Sequence, residues 1–373
     1  MGTIRPSDLA AGKIMKRGTS PREISGASKG AATFDCVIVG DVMMDVILRC
    51  ESEIVDSLIM DGTNYFSESK ITPGGSGNVA VAIAKLGGRV AFVGKAGNDP
   101  YGRAYSDDLT SARVATRITV DLRMSTGLAV CLVEPSGSRT MLVSRGANDY
   151  LTKNEVTNAL KKMGRPRFTY LPGYSLNASP QREAILHAAR LGHEQQSRVV
   201  FDPGASNLVR EHPDVFQEAV DRSDILCANL DEARVLAGKV EVNRYAARLS
   251  RKGKLVVVKT GVEGCLLASD GEITRIPGVR TRAVDTTGAG DAFLGAFLYS
   301  MSRDVGPVTS ARFANWFASR TTEKLGPRNY PGRNEARHNL LSLQRKIWSL
   351  SQRSCGAEPC AKLHVQSAVF SQI

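Results

Sequence analysis

Val284-Asp-Thr-Thr-Gly-Ala-Gly-Asp-Ala-Phe293 is the stretch on which the reading of this chain turns. Gly288, Ala289 and Gly290 open an apolar run that continues to Ser302. The spacing predicts a helix whose first turn is made of residues with little or no side chain. Such residues let a ligand come close to the backbone. The first N–H groups of a helix have no partner within it and point outward at its positive end, a place suited to a phosphate. Asp291 falls in the same turn, where the dipole favours a carboxylate. Beside a bound phosphoryl group it could take a proton from an attacking hydroxyl, with Gly288, Ala289 and Gly290 as the anion hole. From these residues alone, a glycine-rich helix start with an ordinary first-turn aspartate is an equal reading.

Around that helix, strands alternate with helices. Phe168–Leu171, Val199–Phe201, Ile225–Cys227 and Leu255–Lys259 read as buried strands. Pro180–Leu191, Pro213–Asp221, Glu232–Ala237, Val242–Ser250 and Thr309–Thr322 read as helices. The alternation predicts a mostly parallel central sheet covered by helices on both faces, an α/β class. Cys36–Val39, ended by Gly40-Asp41, reads as the first strand, and Asn78–Leu86 as a helix stopped by Gly87-Gly88. Val46–Leu48, Phe66–Ile71, Gly127–Val133 and Thr140–Val143 break the rhythm and are expected to form a small inserted sheet. Residues 1–33 are expected to be a disordered basic extension, 34–345 the folded domain with the inserted strands within 46–72 and 127–143, and 346–373 a tail.

Bulk properties bound the function. The 373 residues suffice for a sizeable core, and no apolar run approaches the roughly 18 residues of a membrane span, so no membrane partner is expected. The formal charge is +12, but residues 1–33 and 320–373 together carry +10 of it. The ends are therefore read as solvated and a nucleic-acid role as unlikely, since no RNA-reading motif accompanies them. Cys36, Cys50, Cys131, Cys227 and Cys265 sit in or beside expected strands, which fits small buried side chains in a reducing compartment. Cys355 and Cys360 form a single pair without a second pair or a histidine cluster, a poor zinc site. With no apolar signal core at the N-terminus, the expectation is a cytoplasmic protein. A dinucleotide oxidoreductase is disfavoured because no G-x-G-x-x-G follows the first strand.

The longer strings carry a family likeness. Asp285-Thr-Thr-Gly-Ala-Gly-Asp291 resembles the C-terminal signature of the ribokinase-like (PfkB) carbohydrate kinases. Thr72-Pro-Gly-Gly-Ser-Gly-Asn-Val-Ala80, with Ala84-Lys-Leu-Gly-Gly88 and Val93-Gly-Lys-Ala-Gly-Asn-Asp99, resembles the N-terminal one. The resemblance covers roughly 34–330 and implies a three-layer ribokinase-like α/β/α domain whose inserted β-sheet is a lid. It further implies ATP as phosphoryl donor, Mg²⁺, Asp291 as base, and closure of the lid to exclude water. It places Asp45 on substrate hydroxyls, Gly74, Gly75 and Asn78 in the substrate-facing turn, and Asn229 and Glu232 near the magnesium–phosphate site, Glu232 acting through water. Thr260, Gly261 and Gly264 match the loop over the ATP phosphates, and Asn315 a position beside the adenine. Asp285 and Thr287 match one half of a monovalent-cation (K⁺) site. The other half departs from the pattern as Lys324-Leu-Gly-Pro-Arg-Asn-Tyr330, which puts potassium activation in doubt. In many relatives the lid also forms a homodimer interface.

The acceptor is less legible. The turn Pro73-Gly-Gly-Ser-Gly-Asn78 lacks the lysine of ribokinase proper, and Leu171-Pro-Gly-Tyr174 lacks its glutamate. An unphosphorylated sugar or sugar acid ranks first, a nucleoside second and a sugar phosphate third. Arg139 and Arg145 flank a lid strand: turned inward they would hold an acidic or phosphorylated sugar, and turned outward they are solvated surface. A non-catalytic sensor that kept the fold would be expected to have lost Asp291, Gly288, Gly290, Asn229 or Glu232, and all are present.

Overall fold

Short runs rich in valine and isoleucine set the strands, and what flanks them sets where each stops. The computed structural model describes residues 33–51, 59, 61–135 and 139–354. The expected N-terminal extension up to residue 32, Cys355, Cys360 and the end of the tail lie outside the described residues. In chain order the elements are β1 (Cys36–Val39), β2 (Met43–Arg49), β3 (Glu68–Pro73), α1 (Gly77–Leu86), β4 (Val90–Gly97), α2 (Pro100–Ser111), β5 (Ala115–Asp121), β6 (Gly127–Val133) and β7 (Arg139–Ser144). Then follow α3 (Lys153–Met163), β8 (Phe168–Pro172), α4 (Gln181–Glu194), β9 (Arg198–Asp202), α5 (Ser206–Glu211), α6 (Pro213–Arg222), β10 (Ile225–Asn229), α7 (Leu230–Ala237), α8 (Val242–Arg251) and β11 (Leu255–Lys259). The last are β12 (Gly264–Ser269), β13 (Glu272–Pro277), α9 (Ala289–Met301), α10 (Pro307–Thr321) and α11 (Arg333–Ser354).

The main sheet has nine strands in the order β13-β12-β11-β10-β9-β8-β1-β4-β5. The seven from β11 to β5 run parallel, and β12 and β13 extend the sheet antiparallel. Side chains of the central strands alternate between two helical layers, as the pleat requires. Ile38, Phe92, Cys227 and Val257 pack with Ala82 of α1, Phe293 and Phe297 of α9 and Phe313 of α10. Val37, Val199, Leu226 and Val256 pack with Val156 of α3, Ile185 of α4, Phe216 of α6 and Leu249 of α8 on the other face. This is the three-layer α/β/α arrangement expected from the sequence.

The second sheet has four strands in the order β3-β2-β6-β7, with β2 and β6 parallel at its centre. Both central strands come straight from the main sheet: β2 follows β1 after Gly40-Asp41-Val42, and β6 follows β5 after Leu122–Thr126. Asn148 pins the first crossing, its Oδ1 accepting from Val42 N at 2.8 Å and its Nδ2 donating to Val42 O at 2.9 Å.

Several elements escape the alternation read from sequence. Helix α2 buries only Gly102, Tyr105 and Leu109, too narrow a stripe to signal a helix, but Asp99 caps it and Pro100 opens it. Edge strand β5 is largely exposed or half-buried, so it lacks an apolar run. Helix α3 carries a Thr152–Glu155 capping box and buries Val156, Ala159, Leu160 and Met163, a signal that was present in the sequence. Helix α11 runs through to Ser354, so the boundary drawn at 345/346 falls inside it. Strand β3 starts at Glu68 and ends at Pro73, two residues later at each end than read.

Candidate active site

Three adjacent parallel strands, β9, β10 and β11, end in Asp202, Asn229 and Lys259. The carboxyl ends of such strands are where open α/β sheets bind ligands. Lys259 Nζ donates to Asp202 Oδ2 at 2.7 Å, and both side chains are largely buried. Burial works against the Lys259 charge, but Asp202 and Glu232 outweigh it and hold the ammonium above its ordinary range.

Helix α9 starts against this edge. Gly288 is its N-cap in the left-handed region, φ 73°, and a Cβ there would lie 2.6 Å from Pro327 Cβ. Only glycine adopts that conformation at little cost. The amide of Ala289 donates to Thr286 O at 3.2 Å, and that of Ala292 to Gly288 O at 2.8 Å. The first-turn amides left to meet a ligand are therefore those of Gly290 and Asp291. A Cβ on Gly290 would meet only Lys259 Nζ, 3.6 Å away. An anion seated there faces two amides and an ammonium.

Asp291 is half-buried, and burial raises its pKa to about 6. The Asn78 hydrogen bond and the charges of Lys259 and Arg328 pull it down, while Asp202 pushes it up. Asn78 Nδ2 donates to Asp291 Oδ2 at 3.0 Å. Asn78 lies in the first turn of α1, reached through the turn Gly74-Gly75-Ser76. Asp45, on β2 opposite Thr72 of β3, lies so close to Gly74 that a Cβ there would overlap its carboxylate. Tyr105 Oη donates to Gly74 O at 3.2 Å and fixes the turn from below. The turn 74–78 thus has the Asp45 carboxylate at one end and the Asp291 carboxylate at the other, and Gly75 takes φ 58° between them.

Asn229 and Glu232 form a capping box at the start of α7: Asn229 N donates to Glu232 Oε2 at 2.8 Å and Glu232 N to Asn229 Oδ1 at 2.9 Å. Burial, then the neighbouring Asp202, raises the Glu232 pKa to about 7, while Lys259 opposes them. Thr260 N donates to Gly264 O at 2.8 Å across a short turn opened by Gly261 at φ 64°. Beside this turn is a cleft of about 720 Å³ lined by Thr260, Glu263, Ile276, Pro277, Arg234 and Asn243 among others. Asn315 is buried in α10 and donates to Pro277 O at 3.1 Å, so its amide is committed to the backbone that borders the cleft. Asp285 Oδ1 accepts from Thr287 N and its Oδ2 from Gly326 N, both at 2.8 Å.

Arg145 takes neither orientation considered from sequence. Its side chain is largely buried, paired with Asp41 at 3.1 Å and Asp149 at 2.6 Å, and bonded to Gln181. Asp41 also accepts from Ser175 Oγ at 2.7 Å. Sequence reasoning did not single out Asp202, Lys259 or Arg328. The first two show only as polar residues ending apolar strands, a common pattern, and the third as part of a segment that breaks the family's pattern.

The glycine-opened helix start with its lysine and the carboxylate-flanked turn thus lie together at the carboxyl edge of a parallel sheet, where open α/β folds bind ligands. Residues 33–333 match the family described as pfkB family carbohydrate kinase, and the chain belongs to that family. It is 29% identical to ribokinase of Mus musculus, over 71% of this chain and 81% of that one. It is also 29% identical to 5-dehydro-2-deoxygluconokinase of Halalkalibacterium halodurans, over 78% and 89%. Adenosine kinase of Sinorhizobium meliloti superposes with a TM-score of 0.75 at 26% identity, covering 82% of this chain and 99% of that structure. The chain is thus a kinase of the sugar and nucleoside kinase family, with the ribokinase-like fold. Among the described residues no helix is long and apolar enough to cross a membrane.

Proposed function

We propose that this enzyme transfers the γ-phosphoryl group of ATP to a hydroxyl of a small sugar or sugar acid, with Asp291 as the base. The supporting observation is the turn 74–78, which has Asp45 at one end and, through the 3.0 Å Asn78 bond, Asp291 at the other. Asp45 can accept from two hydroxyls of a polyol. That fixes the acceptor, and a third hydroxyl then lies within reach of Asp291. The Asp291 carboxylate takes the hydroxyl proton as the oxygen attacks the γ-phosphorus in line, and ADP leaves. The Gly290 and Asp291 amides and the Lys259 ammonium face the charge spread over the transferring phosphoryl. Thr260 lines the cleft that suits the rest of the nucleotide, Gly261 and Gly264 belong to the turn that follows it, and Asn315 shapes the cleft wall by holding Pro277.

The residues present fit magnesium held mainly by phosphate and water. Glu232 and the neighbouring Asp202 offer the carboxylate oxygens that suit a hard cation, and lie near enough to couple electrically. Glu232, acting through water, would hold Mg²⁺, which when bound would supply positive charge against the phosphates. Asp285 already has an amide on each oxygen, so the reading needs no step through potassium at Asp285 and Thr287. The exposed Met141, Leu142 and Val143 of edge strand β7 are a surface on which a second copy could pair, the homodimer the family resemblance implies.

The test is ADP release from MgATP against a panel of sugars, sugar acids, sugar phosphates and nucleosides, with Asp291→Asn as control. A wild-type chain that binds ATP yet releases no ADP above background with any acceptor sinks the reading. Preference for a nucleoside would favour the second reading, which the likeness to adenosine kinase supports.

A further inference from the structure

Arg328 comes from the segment that departs from the family's pattern, and it enters the site by a route the sequence does not suggest. Its Nη1 donates to Asp108 Oδ2 of α2 at 2.5 Å and its Nε to Asn78 Oδ1 at 2.7 Å. Asn78 Nδ2 in turn donates to Asp291 Oδ2 at 3.0 Å. Tyr330, two residues on, donates from Oη to Asn78 O at 2.9 Å, so the same segment holds the asparagine by backbone and side chain. The neighbouring residues hold the far side of the anion turn: Pro327 packs on Gly288, and Gly326 N bonds Asp285.

An asparagine amide has one accepting and one donating end, and which is which is fixed only by what faces it. Here both ends are decided. A guanidinium has donors only, so it must face the oxygen. A carboxylate has acceptors only, so it must face the amino group. The reverse orientation would set oxygen against carboxylate and N–H₂ against guanidinium. Arg328 therefore reinforces the direction that Asp291 sets: with the arginine gone, the oxygen of Asn78 loses its donor and the amide is held from one end only.

We propose that Arg328, anchored by Asp108, is a positioning residue that fixes the Asn78 amide and thereby holds one oxygen of Asp291, leaving the other to take the acceptor's proton. This rests on the reading of Asp291 as the base. Arg328 does not touch the reacting atoms in this arrangement and acts through Asn78. The charged and titratable groups facing Asp291 are Lys259 and Asp202 from the strand ends, Tyr170 from β8, and Arg328 and Tyr330 from the segment after α10. Of these, Arg328 and Lys259 favour its ionised form, so removing either raises the pH at which it becomes a base.

The test is a ¹³C-NMR titration of the Asp291 carboxyl, assigned by its loss in Asp291→Asn, in the wild-type chain and in Arg328→Met. The midpoint should rise by about one pH unit in Arg328→Met, with the acid limb of kcat following it. kcat should fall about ten-fold or more while KM for ATP stays within about two-fold. Arg328→Lys keeps the charge without the planar fork and should recover part of the midpoint but little of kcat. Should Arg328→Met fail to fold, Asp108→Asn removes the outer anchor from a more exposed position and should give a smaller rise of the same sign. An unchanged midpoint in a folded variant overturns the proposal, and so does a fall in kcat without movement of the acid limb. The titration needs no turnover, so a wild-type chain that phosphorylates nothing would overturn the kinase reading separately.

Discussion

Lys259 and Asp202, at the ends of two strands separated by β10, meet at 2.7 Å, with the lysine Nζ 3.6 Å from where a Cβ on Gly290 would lie. The pair delivers a fixed ammonium to the mouth of helix α9, where backbone amides alone would supply only partial charge.

Gly288 and Gly290 should differ in what alanine costs the fold. At Gly288 the left-handed φ and Pro327 both resist a Cβ, so Gly288→Ala should lose about 1–3 kcal/mol of stability along with activity. At Gly290 the Cβ meets only a lysine tip at 3.6 Å, so Gly290→Ala should fold with unchanged Tm. It should nonetheless lose turnover by about 100-fold, because the methyl occupies the phosphoryl position. Thermal denaturation beside single-turnover kinetics separates the two effects.

Lys259→Met should cost both stability and rate. It leaves the Asp202 carboxylate largely buried without its partner beside Glu232, a loss of roughly 3–5 kcal/mol. Adding Asp202→Asn should restore much of the Tm and none of the turnover. Recovery of both in the double variant would show that the lysine serves the fold only.

Asp291→Asn should abolish phosphoryl transfer, by about 100-fold or more, yet raise the Tm at neutral pH. The sign follows from linkage: the folded pKa of about 6 lies above the ordinary 3.8. The ionised side chain therefore weakens the fold by an amount absent below about 3.8, growing as pH rises, and complete above about 6. Asparagine removes that cost. In the wild type kcat/KM should fall on the acid side with an apparent pKa of about 6. An acid limb near 4 would contradict the burial of the base.

Gly74→Ala should raise KM for the acceptor and leave KM for ATP alone. The new methyl would overlap the Asp45 carboxylate and turn it from the hydroxyls it is proposed to hold. Initial rates with each substrate varied in turn would detect this, and an unchanged acceptor KM would remove Asp45 from recognition.

Local signals in the sequence reached far into this site. Asp291 and the glycines before it lie within four residues, and Gly74, Gly75 and Asn78 within five, so each constellation is written contiguously. What escaped was charge brought together by the fold. Lys259 and Asp202 are 57 positions apart, and Arg328 and Asn78 are 250 apart. Asp202, Lys259 and Arg328 read in isolation as ordinary polar residues, and only the fold brings them to their partners. The same holds for Arg145, which sequence placed between substrate and solvent and which the fold gives to Asp41, 104 positions away. Helix α2 was missed for a different reason: its buried stripe is one residue wide, and its start is written in the cap rather than in the apolar pattern.

Two short passages lying side by side, Gly40–Val42 and Leu122–Thr126, lead from the larger sheet into the two middle strands of the four-stranded one, and the chain returns from its outer strands through 74–76 and 145–152. A flap hung on one strand could swing by bending a single joint. This one is mounted like a door on paired pins, one of them clasped by Asn148. The Asp45 carboxylate lies only two residues beyond β2's entry, so a swing of the sheet about these joints would move it least.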